Sequence, residues 1–277
     1  MRAASGSASG ADGSARPVIV KLGGSIITRK REVERLRPKV LARLSEELAE
    51  AADHHPLVVL HGAGSFGHPG AKRWQLAEPP SPTATARARL RGASIVGAEV
   101  RRLHGKVLAA LIEAGANPIS VPAGTLARNR AGRLATIDRA PFDAALAAGG
   151  MPVSFGDVVP DDAWGFSILS ADTIAVELAR LLGASRVVFV SDVPGILGPA
   201  TGGRRPVLPT VTEEVLQALA PSRGPDVTGG IVGKARAMLA IAAGGADAGL
   251  ISGLSDGALP RAIRGESVYG SWAKAAR

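Results

Sequence analysis

Six short apolar runs, rich in β-branched residues, alternate along this chain with Ala/Leu/Arg stretches of helical period. A chain of that pattern folds as a mostly parallel sheet covered by helices, because every strand is apolar on both faces and the next strand returns through a helix. The predicted strands are Val18 to Leu22, Leu57 to His61, Pro118 to Val121, Pro152 to Phe155, Arg186 to Ser191 and Ala248 to Ile251. The predicted helices are Arg37 to Ala52, Thr83 to Ala114, Ala171 to Leu182, Thr212 to Leu219 and Gly233 to Ala243. The stretch "LARNRAGRLATID", Leu126 to Asp138, reads as a hairpin turning at Ala131 and Gly132, an insertion or lid on the sheet. The loops "AEPPSPTAT" and "GPATGGRRP" have linker composition.

The fold class is therefore α/β. At 277 residues the chain fits one large layered domain, expected over 17–277, behind a disordered leader over 1–16. That leader, "MRAASGSASGADGSAR", has no apolar core and does not read as a signal peptide. The absence of cysteine excludes disulfides, thiolate metal ligands and a cysteine nucleophile, and it fits a cytoplasmic protein. No apolar run approaches the roughly 20 residues of a membrane span, so no membrane partner is expected. The net charge of +9 favours anionic partners. With aromatics at 3% there is little to stack on bases, and nucleic acid is not an expected partner.

The apolar run "VVLH" leads into "GAGSFGHPG", where Gly62, Gly64 and Gly67 have the G-x-G-x-x-G spacing. A dinucleotide site would need an acidic residue closing a strand about 20 residues on, and "EPPSPTATARARL" supplies neither strand nor acid. A glycine turn between strand and helix can still cradle phosphate, since backbone N–H groups approach the anion closely. Taken alone, the glycines could serve only a tight turn. A second glycine turn, "KLGGSIITRK", sets Lys21 and Lys30 on either side of Gly23, Gly24 and Ser25, two cations able to neutralise a polyphosphate during phosphoryl transfer. Singly, Lys30 reads equally well as a solvated member of a basic run. A third group comprises the polar turn Asp192 to Gly195 after a buried strand, and "TGGIVGK", which is one residue short of a P-loop and has Ala235 where the hydroxyl residue belongs.

"KLGGS", "SDVPGIL" and "DVTGGIVGK" resemble the amino acid kinase superfamily, over nearly everything after the leader. Within it, "HGAGSFGHP" closely resembles the isopentenyl phosphate kinases, as do "SFGDVVPD" and "ILSADTIAVELA". The resemblance implies a three-layer α/β/α sandwich with an acceptor lobe at about 17–160 and a nucleotide lobe at about 161–277. It implies transfer from ATP to a small phosphate monoester, most closely isopentenyl phosphate, and a homodimer. His68 would meet the acceptor phosphate, as a positioner more than a base, since a phosphate nucleophile needs no strong base. Lys21 and Lys30 would bridge the transferred group. Gly23, Gly24 and Ser25 would cover the β and γ phosphates. Gly62, Ala63 and Gly64 would lie between acceptor and ATP, with Gly156 and Asp157 helping to bind the acceptor. Asp172 would orient the lysines, and Asp192, Gly195, Gly229 and Lys234 would belong to the nucleotide side. Mg²⁺ would be held through ATP oxygens and water, no motif specifying a protein metal site.

The other histidines, His54, His55 and His104, read as surface or packing residues, and Leu90, Ile95, Val96 and Val100 as core before they read as a tail pocket. "SAD" in place of "SGD", Ile231 in place of Met and the end "YGSWAKAAR" depart from the family pattern. These departures bear on the acceptor more than on ATP. A fosfomycin-type phosphonate kinase is the nearest alternative, and a nonenzymatic nucleotide- or phosphate-binding regulator is the alternative from another class.

Overall fold

The computed structural model describes residues 15–29, 32–81, 85–200, 203, 205–219 and 230–276. The main sheet is built from β1 (Val18–Leu22), β2 (Leu57–His61), β3 (Pro118–Ser120), β6 (Met151–Phe155), β9 (Arg186–Ser191), β10 (Asp247–Ser252) and β11 (Gly270–Ala273). Its strand order is β11-β10-β9-β1-β2-β6-β3, with every pairing parallel except that of β11 on β10. All six predicted strands are present, each end within one residue of expectation. The chain grows outward from β1 toward β3, then restarts on the other flank of β1 at β9. The carboxyl ends of β1, β2 and β9 therefore meet at a topological switch point, where open α/β sheets bind ligands.

Alternation within the strands sorts the two helical layers. On one face Ile19, Val58, Leu60, Val187, Phe189 and Leu250 pack with α7 (Ala171–Leu181) and α9 (Gly230–Ala243). On the other, Val20, Leu22, Val59, Val153 and Val190 pack with α2 (Pro38–Ala52), α4 (Ala86–Glu113) and α10 (Ala258–Arg264). The result is the three-layer α/β/α sandwich. Helix α4 starts at Ala86, where the Thr85 hydroxyl caps it by accepting from the Ala88 N–H at 3.2 Å. Thr83 and Ala84 lie outside the described residues, as do 1–14 of the leader. The leader boundary moves: the Arg16 guanidinium donates to the carbonyls of Gly183, Ala184 and Gly245, so Arg16 belongs to the folded domain.

Several elements went unread in the sequence: α1 (Gly24–Ile27), α3 (Gly64–Arg73), α5 (Ala123–Leu126), α6 (Ala140–Ala147), α10, β7 (Asp157–Asp161), β8 (Gly165–Leu169) and β11. The remaining helix, α8 (Glu213–Leu219), matches expectation within a residue. The predicted hairpin is β4 (Ala127–Arg130) and β5 (Arg133–Ile137), joined by Ala131 at φ 52° and Gly132 at φ 75°, a two-residue primed turn. It is part of a second sheet, β5-β4-β7-β8, whose β7 and β8 pack on α4 and whose β7 packs on α5.

Asp161 ties the turns of this second sheet together. Its carboxylate accepts from the backbone N–H of Ala131 and Gly132 in one turn and of Ala163 and Trp164 in the other, and from the Ser167 hydroxyl. Burial opposes its charge, but these donors outweigh burial and hold its pKa at about 2. Asp161→Ala would leave four backbone donors without their acceptor. Unfolding in urea should show a loss of about 3 kcal/mol or more with an unchanged m-value, and a loss below about 1 kcal/mol would mean that the turns hold without it.

Candidate active site

Strand period places Lys21 on the Ile19 face of β1, toward α7 and α9, and leaves it 5% exposed. Helix α7 opens where the Ser170 hydroxyl accepts from the Thr173 N–H, which sets Asp172 in the first turn. Asp172 then receives two ammonium groups, Lys21 Nζ at 2.7 Å and Lys234 Nζ, from α9, at 2.8 Å. Burial pushes the Lys21 pKa down more than Asp172 lifts it, with Lys234 lowering it further. Burial would raise the Asp172 pKa, but the two lysines outweigh it and hold the carboxyl far below the usual range.

At the carboxyl edge each strand runs into a glycine that continues the ladder by one bond. Gly23 N–H donates to Val190 O at 2.7 Å, Gly62 N–H to Leu22 O at 2.9 Å, and Gly156 N–H to His61 O at 3.0 Å. The two glycine turns touch backbone to backbone: a Cβ on Gly24 would stand 2.5 Å from Gly64 Cα, and one on Gly62 2.8 Å from Gly24 N. Gly64 itself has φ 50°, which glycine adopts without strain. Thr28 fastens the pair, its hydroxyl donating to Gly24 O at 2.6 Å and accepting from the Ser65 N–H at 2.9 Å. The "GAGSFGHPG" glycine loop thus runs into the first turn of α3, which already begins at Gly64, and His68 is an exposed residue on that helix. Ser25 Oγ donates to Asp192 at 2.6 Å. Gly195 lies against β11, where a Cβ would come 2.7 Å from Ser271 Oγ.

The structure therefore brings together Lys21, Asp172 and Lys234, sets Gly23 to Ser25 against Gly62 to Gly64, and joins Asp192 to Ser25. Lys30 and Gly229 lie outside the described residues. Asp157 is buried, and its carboxylate is already engaged by both terminal nitrogens of Arg101 at 3.1 Å each and by the N–H groups of Gly124 and Val158. Burial raises its pKa despite these partners. Through these bonds it holds Arg101 of α4 and the Gly124 turn to the β6–β7 junction.

Sequence reasoning missed Thr28, Ser65 and Arg101. It read His104 as a packing or surface residue, and His104 is indeed packed, 5% exposed against Phe155, but with a partner the sequence did not give, its Nδ1 lying 3.1 Å from His61 Nε2. The signal was available in the strand period: His61 shares the Val59 face of β2, which α4 covers. Among the described residues no group of three or more His, Cys, Asp and Glu could hold a metal ion, and no helix is long and apolar enough to cross a membrane.

The amino acid kinase family matches this chain over residues 16–251. The isopentenyl phosphate kinase of Methanothermobacter thermautotrophicus is 32% identical over 263 residues, 92% of this chain and 97% of its own length. That of Haloferax volcanii is 36% identical over 229 residues, 82% of this chain and 88% of its own. A crystal structure of isopentenyl phosphate kinase superposes with a TM-score of 0.80 at 30% identity, covering 92% of this chain and 99% of that one. The Thermoplasma acidophilum isopentenyl phosphate kinase product complex follows at 0.75 and 30%, covering 93% and 100%.

The histidine pair gives the protein an acid-sensitive stability. Burial lowers the His61 pKa to about 3, with His104 and Lys21 also disfavouring its charge and the Gly62 carbonyl opposing. Burial and then Arg101 lower that of His104 to about 4. The unfolded chain binds these protons from about pH 6.5 downward while the folded chain does not. Stability is thus full above pH 6.5 and falls as pH drops toward 4, at up to roughly 1.4 kcal/mol per pH unit for each histidine. Urea unfolding at pH 7, 6 and 5 should show this slope, and His104→Phe should remove its share; a flat profile would contradict neutral burial.

Proposed function

The chain belongs to the amino acid kinase family, and from that membership we propose that it transfers the γ-phosphoryl group of ATP to isopentenyl phosphate, giving isopentenyl diphosphate and ADP. The observation that carries this reading is the contact between the two glycine turns at Gly24 and Gly64. With no side chain between them, one turn can hold the donor's phosphates while the other holds the acceptor's, and the two anions can approach in line.

Each residue then has a task. Gly23, Gly24 and Ser25 cover the β and γ phosphates, while Lys21 and Lys30 neutralise the group in flight. Asp172 keeps Lys21 and Lys234 aimed at one place. A polyphosphate entering there exchanges for the carboxylate as a partner of the ammonium groups, so charge is offset without desolvating a bare cation. Ala63 and Gly64 present backbone N–H groups at the N-terminus of α3, where the helix dipole also favours an anion, while Gly62, whose own N–H is on the Leu22 carbonyl, leaves room for the approach. His68 binds and orients the acceptor phosphate. Its oxygen attacks the γ-phosphorus as the bond to the β-phosphate oxygen breaks, and no general base is required because the nucleophile is already an anion. Asp192, Gly195, Gly229 and Lys234 serve the nucleotide. Gly156 lets the β6–β7 junction approach the acceptor, and Asp157 secures its wall. Mg²⁺ would be ligated by phosphate oxygens and water and would screen the charge between the two anions.

The same reading places the acceptor in the lobe at about 17–160 and the nucleotide in the lobe at about 161–277, in a cytoplasmic homodimer. A cysteine-free chain suits a reducing compartment, and Ile119 of β3, the outermost parallel strand, and Ile112 of α4 are both exposed, apolar surface that a second copy would cover.

Purified protein given Mg-ATP should release ADP on addition of isopentenyl phosphate. Lys21→Ala and Lys30→Ala should each lower kcat on the order of 10²-fold or more, and His68→Ala should lower kcat/KM for the acceptor by at least about tenfold. Turnover of fosfomycin alone would transfer the activity to a phosphonate, and absence of turnover with either would overturn the kinase assignment.

A further inference from the structure

The carboxyl end of β2 holds a buried polar chain to which the proposed chemistry gives no task. His61 is fully buried, and its Nδ1 lies 3.2 Å from the Gly62 carbonyl oxygen. Its Nε2 lies 3.1 Å from His104 Nδ1, and His104 Nε2 lies 2.8 Å from Ser120 Oγ at the end of β3. Both rings pack on Phe155, at centroid distances of 5.3 and 4.3 Å. Burial keeps both rings neutral, and the cations that bear on them, Lys21 on His61 and Arg101 on His104, act in the same direction.

One end of this chain fixes the direction of all its bonds. The Gly62 carbonyl can only accept, so His61 Nδ1 must carry hydrogen. A neutral imidazole then has a bare Nε2, which must accept from His104 Nδ1–H. His104 Nε2 is consequently bare as well and accepts from the Ser120 hydroxyl. The hydrogen bonds run Ser120 to His104 to His61 to Gly62, with no alternative arrangement that satisfies every atom.

The target is a single peptide group. The Gly62 carbonyl and the Ala63 N–H are opposite ends of one planar unit, so fixing the first aims the second the other way. Glycine places little steric restriction on the orientation of that unit. Among the described residues the Ala63 N–H makes no backbone hydrogen bond, and it stands at the start of α3 beside Gly24. We propose that His61 and His104 are positioning residues whose directed hydrogen-bond chain from Ser120 holds the Gly62–Ala63 peptide with its N–H turned toward the transferred phosphoryl group.

The kinetic consequence rests on the proposed kinase reading, whereas the tautomers do not. Nitrogen-15 spectra of the histidine-labelled protein at pH 7 should show both rings with hydrogen on Nδ1 and none on Nε2; hydrogen on Nε2 of His61 overturns the inference. His104→Phe keeps the ring stacked on Phe155 but removes both bonds, and kcat should fall about tenfold with the KM for ATP unchanged. His104→Asn places an amide N–H near the lost Nδ1–H and should restore most of that loss; a merely structural histidine would not be rescued this way. An unchanged kcat in His104→Phe overturns the proposal. If the wild-type protein does not turn over isopentenyl phosphate, the kinase reading fails separately, and the tautomer measurement still decides whether the chain exists. Should His104→Phe not fold, the tautomers and His104→Asn carry the test.

Discussion

A single carboxylate, Asp172, holds two ammonium groups under the edge of the sheet, and much of the architecture serves to put it there. Lys21 comes from the central strand, where period two points it at the helical layer, and Lys234 from α9, the neighbour of α7. Were Asp172 absent, burial would drive Lys21 further toward its neutral form, and a neutral amine cannot neutralise phosphate. Position in the first turn of α7 also lets the helix dipole favour the carboxylate. One anion between two cations leaves the cluster short of negative charge. The triad therefore keeps a net positive charge beside the glycine turns, which under the proposed reading a polyphosphate would offset.

Around that triad the scarce resource is space. Gly23, Gly24, Gly62, Gly64 and Gly156 sit where adjacent strands end; the first four approach a neighbouring backbone more closely than a side chain permits, and a Cβ on Gly156 would be tight at 3.1 Å from Ala171 N. The tight approach makes the turns mutually dependent, since Thr28 bonds to Gly24 and to Ser65 at once. The second sheet is a separate construction: β5-β4-β7-β8, whose turns converge on Asp161, with the Asp157–Arg101 pair joining β7 to α4.

Much of this was legible in the sequence for a specific reason. Parallel strands are apolar on both faces, so β1, β2 and β9 announced themselves and their ends located the glycine turns. Helix α3 did not, because three glycines and Pro69 within ten residues give it little intrinsic propensity. It is held by packing on α4, where Gly67 meets Val100 without room for a Cβ. Strand β7 contains Pro160, and strand propensity gives such a segment little weight. The candidate residues on the lysine side were found through motif and spacing. Arg101 with Asp157 and His61 with His104 were missed because each partnership spans tens of residues, and each member read singly resembles an ordinary surface or core residue.

The two faces of the sheet end in opposite electrostatics. On the α7/α9 face the alternation of β1 delivers Lys21, and the chemistry there is ionic. On the α2/α4 face the alternation of β2 delivers His61, and the chemistry is neutral, with imidazoles kept uncharged by burial and by nearby cations. Under the proposed reading this division has a cause. Two anions must meet between these faces, and charge is needed to offset their repulsion. Orientation of a peptide N–H needs a fixed dipole instead, and a protonated histidine could not complete the chain, having no bare nitrogen with which to accept. Burial keeps the imidazoles neutral, and Lys21 beside His61 and Arg101 beside His104 act in the same direction, so the orienting chain can lie next to the ionic cluster without taking on charge.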